Sequence, residues 1–323
     1  MTDDIVLGAL LGTAVGDALG MPIEGLSHQN VRTYYLGIKE YRADEQRKDL
    51  DAGQWTDDTQ CTFAVARAYA TAGRGDWPQA AADAYVALQP EARRWGPTTT
   101  AAVDRLADGT APEDAGGADR PTDGAAMRAA PLGLWWAATT PGADLAWDTI
   151  RSVLAVTHRH PVALAAGWGQ AWAVQHLATT RPDAFTRDAF WTGLVEATAA
   201  AEARLDGPSA VSDRLRRLRD DGEIDSFPLD VRDACDGVSV RADEAWPFAC
   251  AMVARRPHLL ENTLLSGINV GGDADTTGAM MGAMLGALHG WDAFPDAWKD
   301  GLEAADRLAD EATAFARALR SSA

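Results

Sequence analysis

The chain of 323 residues has 47% hydrophobic side chains and a formal net charge of −18. The apolar share is ample for a packed core and excludes an intrinsically disordered chain. The negative field repels phosphate backbones and excludes a generic nucleic-acid binder, but not a small phosphate-bearing ligand in a pocket that holds cations. Cys61, Cys235 and Cys250 stand in no metal-ligand or redox spacing and read as buried thiols of a reducing compartment. The acidic start Met1-Thr2-Asp3-Asp4 is wrong for a secretory signal, and Asp17 interrupts the apolar run 5–19. No membrane span is therefore expected, and the setting implied is cytoplasmic.

The first predicted helix covers 4–20 and carries Gly8, Gly12, Gly16 and Gly20; a late one repeats the spacing with Gly278, Gly282, Gly286 and Gly290. Glycine costs a helix about 1 kcal/mol relative to alanine, so a row of four on one face needs an offset. Close approach of two helix backbones supplies one, and the two helices are expected to be interior and in contact. Met21-Pro22-Ile23-Glu24-Gly25 ends the first helix, and 26–54 reads as a polar loop with one short helix. Helical spacing then fits 57–71, 78–88, 98–107, 125–138, 144–157, 162–178 and 186–204, and after a turn 209–220, 243–255, 258–265, 277–289, 296–304 and 306–320. No strand pattern of useful length and no repeat of fixed period occurs. The fold class implied is all-α, a single multi-helix domain over 1–323.

Two stretches carry most of the chemistry. In Ile268-Asn-Val-Gly271-Gly272-Asp273-Ala-Asp275-Thr276-Thr277, two glycines allow a sharp backbone turn before two carboxylates. Thr276 or Thr277 is the expected N-cap, with Asp273 and Asp275 just before the helix. In Trp55-Thr56-Asp57-Asp58-Thr59-Gln60 a second acidic pair opens another helix. Either pair alone could merely complement a helix dipole, worth about 0.3–1 kcal/mol. Together they form an all-oxygen set suited to Mg2+ or Mn2+, and a pair of divalent ions would roughly neutralise four carboxylates. His158 and His160 lack a third nitrogen or sulfur ligand for zinc. Asp123-Gly124-Ala-Ala-Met127-Arg128 opens a helix whose free amides could cradle a phosphate. No nucleophile elbow, phosphate-binding P-loop, dinucleotide fingerprint or Cys/His dyad is present.

These residues, in this order, resemble the ADP-ribosylglycohydrolase family, which includes the dinitrogenase reductase-activating glycohydrolase. The matching segments are the glycine ladder with Asp17, Glu24, Thr56-Asp57-Asp58-Thr59, Asp123–Arg128, Thr157-His158 and Gly271–Thr276. The resemblance implies a binuclear Mg2+ or Mn2+ centre in a cleft and cleavage of the bond from the anomeric ribose carbon of ADP-ribose to an acceptor, most simply a protein arginine. It implies Thr56, Asp57, Asp58, Asp273, Asp275 and Thr276 as metal ligands. Glu24 matches an acidic residue on a loop over the metals, and either Glu24 or Asp273 could orient water or move a proton. Gly96, Asp123, Gly124, Met127, His158, Gly271 and Gly272 fall in segments expected to line the substrate site. Two departures bear on that site: Asp123 stands where many relatives have Asn, and Arg94-Trp-Gly96-Pro97-Thr-Thr-Thr100 replaces a longer glycine-rich loop. Serine-linked or O-acetyl conjugates, a silent ADP-ribose binder and a two-metal phosphoesterase are the competing expectations.

Overall fold

The computed structural model describes residues 1–322, and among these no strand forms; the only β pairing is three isolated bridges. The twelve helices of ten residues or more are α1 Asp3–Gly20, α2 Asp57–Ala72, α3 Trp77–Leu88, α4 Pro97–Ala107, α5 Ala130–Thr139, α6 Ala143–Ala155, α7 Pro161–Ala178, α8 Arg187–Arg204, α9 Ala210–Asp220, α10 Ala242–Arg255, α11 Ala274–His289 and α12 Ala305–Ser322. They build an all-α single domain.

Its axis is the antiparallel pair α1 and α11. The Thr2 hydroxyl caps α1 by accepting from the Ile5 amide, and Asp3 and Asp4 complement the dipole of its first turn. Gly8, Gly12 and Gly16 meet Gly286, Gly282 and Gly278 backbone to backbone. A Cβ on Gly16 would fall 1.9 Å from the Gly278 carbonyl oxygen, so only glycine permits this approach. The expected contact between the glycine-rich helices is thus observed. By length and composition α1 could span a bilayer, but nearly all of that stretch is buried inside the protein. Around this pair, α12 packs on α1 and α2, α7 on α5, α8 and α11, and α10 on α11.

Two sequence expectations need correction. α11 begins at Ala274 with Asp273 as its N-cap residue, so Asp275 lies inside the first turn, not ahead of it. Thr277, expected as a cap, instead donates its hydroxyl to the Asp273 carbonyl at 2.8 Å. The helix expected over 125–138 is two, Gly124–Met127 and α5. Pro131 has no N–H to give the Met127 carbonyl, which takes the Thr62 hydroxyl at 3.1 Å. Otherwise the expected helices stand within a few residues of their predicted ends.

Candidate active site

The site forms where the C-terminal end of α1 meets the N-terminal ends of α2 and α11. Asp17, wholly buried on α1, reaches the start of α2. Its carboxylate accepts the Thr56 amide at 3.0 Å, the Thr56 hydroxyl at 2.9 Å, the Thr59 amide at 3.0 Å and the Thr59 hydroxyl at 2.6 Å. A residue 39 positions earlier in the chain thus satisfies donors that a helix start leaves free. Thr56 caps nothing itself; its hydroxyl lies between Asp17 and Asp58, 3.2 Å from the latter.

The start of α11 is placed by its glycines. Gly271 and Gly272 both have positive φ, 78° and 75°, and their backbone is stitched to neighbouring loops. The Gly272 amide donates to the Leu26 carbonyl and the Gly25 amide to the Gly272 carbonyl, each at 2.8 Å. A Cβ on Gly271 would fall 2.2 Å from the Leu26 oxygen, and one on Gly272 2.1 Å from the Val238 oxygen. The two glycines therefore brace the site from behind and do not stand among the residues lining the cleft. Asp273 and Asp275 project forward. Asp17, Asp58 and Asp275 each bring one carboxylate oxygen within 4.8 Å of the others.

The walls come from three loops. Gly96 precedes Pro97 at the start of α4, and both line the cavity with Asp57. Asp123 and Gly124 follow the Thr122–Arg241 bridge. His158 pairs with Gly117 through a second bridge and lays its ring on Gly124, where a Cβ would come within 2.4 Å of Nε2. The third bridge joins Ser27 to Gly271, so all three lie in loops around the cleft. Buried Arg128 donates to the Thr99 hydroxyl at 3.0 Å and to the Gly124 carbonyl, binding two walls together. The cavity measures about 160 Å³ and is lined by Glu24, Asp57, Arg94, Gly96, Pro97, Thr98, Thr99, Arg120, Thr122, Asp123, Gly124, Met127, Arg128, His158, Val240, Asp273, Asp275 and Thr276. A groove of about 740 Å³ adjoins it and shares Pro97, Thr98 and Arg120.

Crowded, buried carboxylates hold their protons too long. Burial, against four hydrogen bonds, pushes Asp17 up to about 6. Burial raises Asp57 to about 7, the Arg128 charge opposing it. Asp123 is raised to about 7 by burial, with the charges of Asp58 and Asp57 adding to it. Asp58, Asp273 and Asp275 rise well above the usual carboxylate range, first through burial and then through neighbouring charge: Asp17 and Asp57 on Asp58, Asp123 on Asp273, and Glu24 on Asp275. His158 is driven well below its usual value by burial and by Arg128, and stays neutral. Asp58 Oδ1, Asp123 Oδ2 and Asp273 Oδ2 are buried without any hydrogen-bond partner. Buried carboxylate oxygens without partners are what a hard cation would satisfy, and Asp17, Asp58 and Asp275 form a group that could bind metal.

The structure brings together most of the residues expected from the sequence. Glu24, Asp57, Gly96, Asp123, Gly124, Met127, His158, Asp273, Asp275 and Thr276 line one cavity. Asp58 and Thr56 lie just beneath it, buried. Asp17, Arg94 and Arg128 were not expected at the site. For Asp17 a signal existed, a carboxylate set in an apolar helix face between Gly16 and Gly20. Nothing local marked Arg94, whose partners are distant in sequence.

The chain matches the family model described as ADP-ribosylglycohydrolase over residues 2–322. It is 30% identical over 306 residues to an uncharacterized protein of Archaeoglobus fulgidus, covering 94% of this chain and 93% of that one. It is 29% identical over 314 residues to the ADP-ribosyl-[dinitrogen reductase] glycohydrolase of Rhodospirillum rubrum, covering 93% and 90%. A solved structure titled ADP-ribosylglycohydrolase-related protein complex superposes with a TM-score of 0.77 at 27% identity, covering 98% of each chain. With the match running almost end to end, the chain belongs to the ADP-ribosylglycohydrolase family.

Proposed function

We propose that this protein removes ADP-ribose from a modified protein side chain, arginine by preference, using two divalent cations, Mg2+ or Mn2+. The observation that carries the reading is the set of buried carboxylates with unpartnered oxygens at the meeting of α1, α2 and α11. Asp58 and Asp275, with Asp57, Asp273 and the Thr56 and Thr276 hydroxyls, would hold the ions; Asp17, whose oxygens already serve four donors, would chiefly aim Thr56 and add charge. When bound, the ions supply electrophilic charge toward the vicinal hydroxyls of the ribose.

The remaining work falls to the chain itself. The small cavity suits the sugar, and the adjoining groove gives the diphosphate and adenine a path past Arg120. His158 and Gly124 offer a flat neutral wall. As the acceptor leaves, positive charge grows at the anomeric carbon, and Asp57, Asp273 and Asp275 face it. Glu24 or Asp273, both of which line the cavity, would orient the incoming water and take its proton. A cationic guanidinium fits a mouth so rich in carboxylate, which favours an arginine link over a neutral one.

Incubation with arginine-, serine- and O-acetyl-linked ADP-ribose, with and without Mg2+ or Mn2+, tests this. Free ADP-ribose should appear only with metal and fastest from the arginine conjugate. Faster release from another linkage would change the acceptor, and release of AMP or phosphate would replace the reading with a phosphoesterase.

A further inference from the structure

Arg94 is the least expected side chain in the cleft. Its backbone has φ 56°, a left-handed conformation that few side chains adopt. That turn sends Arg93 and Arg94 to opposite sides: Arg93 goes to Glu303 and over the Trp55 ring, and Arg94 goes inward. The Arg94 side chain is only 9% exposed, and its guanidinium reaches two separate segments. Nε donates to Asp49 Oδ2 at 3.1 Å, and Nη2 reaches both Asp44 and Asp49. Nη1 lies 3.3 Å from Glu24 Oε2 and 3.4 Å from the Met21 carbonyl oxygen.

The partners belong to two pieces of the cleft rim, Asp44 and Asp49 to one loop and Met21 and Glu24 to the turn after α1. Asp44 is the knot of a small loop, for its carboxylate also accepts the Gln46 amide at 2.7 Å and the Arg47 amide at 3.0 Å. Arg47 then turns back and donates to the same Glu24 Oε2 at 2.7 Å. Glu24 stands on the turn after α1, with its neighbour Gly25 stitched to Gly272. Its charge bears on Asp57, Asp273 and Asp275. A carboxylate at the edge of so many others is repelled outward unless opposite charge holds it. Arg47 and Arg94 are the arginines that do so, and of the two only Arg94 is shielded from solvent.

We propose that Arg94 is a positioning residue for Glu24: it locks the 44–49 loop and the turn after α1 to the start of α4, and so sets where the Glu24 carboxylate stands over the acidic cleft. The forked guanidinium, not charge alone, does this, because one side chain must serve three carboxylates and a carbonyl at fixed angles. The catalytic part of the inference rests on the function proposed above.

Two measurements test it, the first without any substrate. Amide hydrogen exchange should speed up by at least about tenfold in Arg94→Gln at Glu24, Leu26, Gln46 and Arg47, while α1 and α11 amides stay unchanged. Arg94→Lys should fall between. Unchanged exchange at those four amides overturns the lock, whatever the enzyme acts on. The second uses ADP-ribosyl-arginine and Mg2+. Arg94→Gln should lower kcat by about tenfold or more with KM moved less than about threefold, and Arg94→Gln/Glu24→Gln should be no slower than the slower single variant. Losses that multiply in the double variant would show Arg94 acting apart from Glu24 and overturn the proposal. If the wild-type protein leaves this substrate intact, the proposed function falls while the exchange result still decides the lock.

Discussion

Asp17 and Thr56 are joined twice, through the amide at 3.0 Å and the hydroxyl at 2.9 Å of the threonine. This double link seats the start of α2 on α1 and turns the Thr56 hydroxyl toward Asp58. Asp17→Asn keeps the shape but can accept through one oxygen only, and its amide faces donors. Its expected cost is about 1–3 kcal/mol by denaturant unfolding, with a weakened divalent-ion affinity by calorimetry. Unchanged ion affinity would remove Asp17 from the account of the site.

Removing a carboxylate proposed to hold the ion should act differently. Asp275→Asn is expected to lower Mn2+ affinity on the order of 10- to 100-fold and to cut turnover strongly. The helical circular dichroism should stay as in the wild type. Unfolding on this change would mean that Asp275 serves the fold and not a cation.

Stability should depend on pH in an unusual sense. Asp17 is pushed up to about 6, and Asp57 and Asp123 up to about 7, from an ordinary 3.8. An acid with a raised folded pKa favours folding while protonated and loses that contribution as pH rises through the folded value. The metal-free protein should therefore melt several degrees lower at pH 8 than at pH 5, and saturating Mg2+ or Mn2+ should restore most of the difference. Scanning calorimetry with and without chelator reads both effects; an ion-free melting point that rises from pH 5 to pH 8 contradicts the assignment.

Asp123 gives a sharper form of the same test. Asp123→Asn removes a carboxyl that is ionised at pH 8 beside Asp273 and protonated at pH 5. The metal-free variant should be more stable than the wild type at pH 8 and close to it at pH 5. Equal melting points at both values would separate Asp123 from the acidic cluster.

The glycine pair at the axis sets a steric limit. A Cβ on Gly12 would lie 2.4 Å from the Gly282 oxygen, and one on Gly282 2.0 Å from the Gly12 oxygen. Gly282→Ala should cost about 3 kcal/mol or more by urea unfolding, through forced separation of the helices. Gly75→Ala is the control, since a Cβ there meets nothing within 4 Å; it should stay within about 0.5 kcal/mol.

Helix content and the contact of the two glycine-rich helices were legible because 3.6-residue spacing and a four-residue glycine period are local patterns. So were the acidic helix starts at Asp57 and Asp273. What could not be read depended on partners far along the chain. Asp17 looked like a blemish in an apolar run, because its four donors lie near residues 56–59. Arg94 reaches residues 21–49, and Gly271 and Gly272 are committed to Leu26 and Val238, not to the cleft. The start of α11 was missed by three residues because Asp273, not a threonine, takes the N-cap position.

The axis of the molecule pairs α1 with a helix that begins about 250 residues later in the chain. At ordinary elongation speeds of 5–20 residues per second, that is a wait of roughly 13–50 s. Throughout it α1 is an unmated apolar helix as greasy as a membrane anchor. Neither the helix nor the acidic cluster has its counterpart until α11 has been made. The nascent chain should therefore lean on a chaperone, and forms cut short before Ala274 should aggregate and bind no cation.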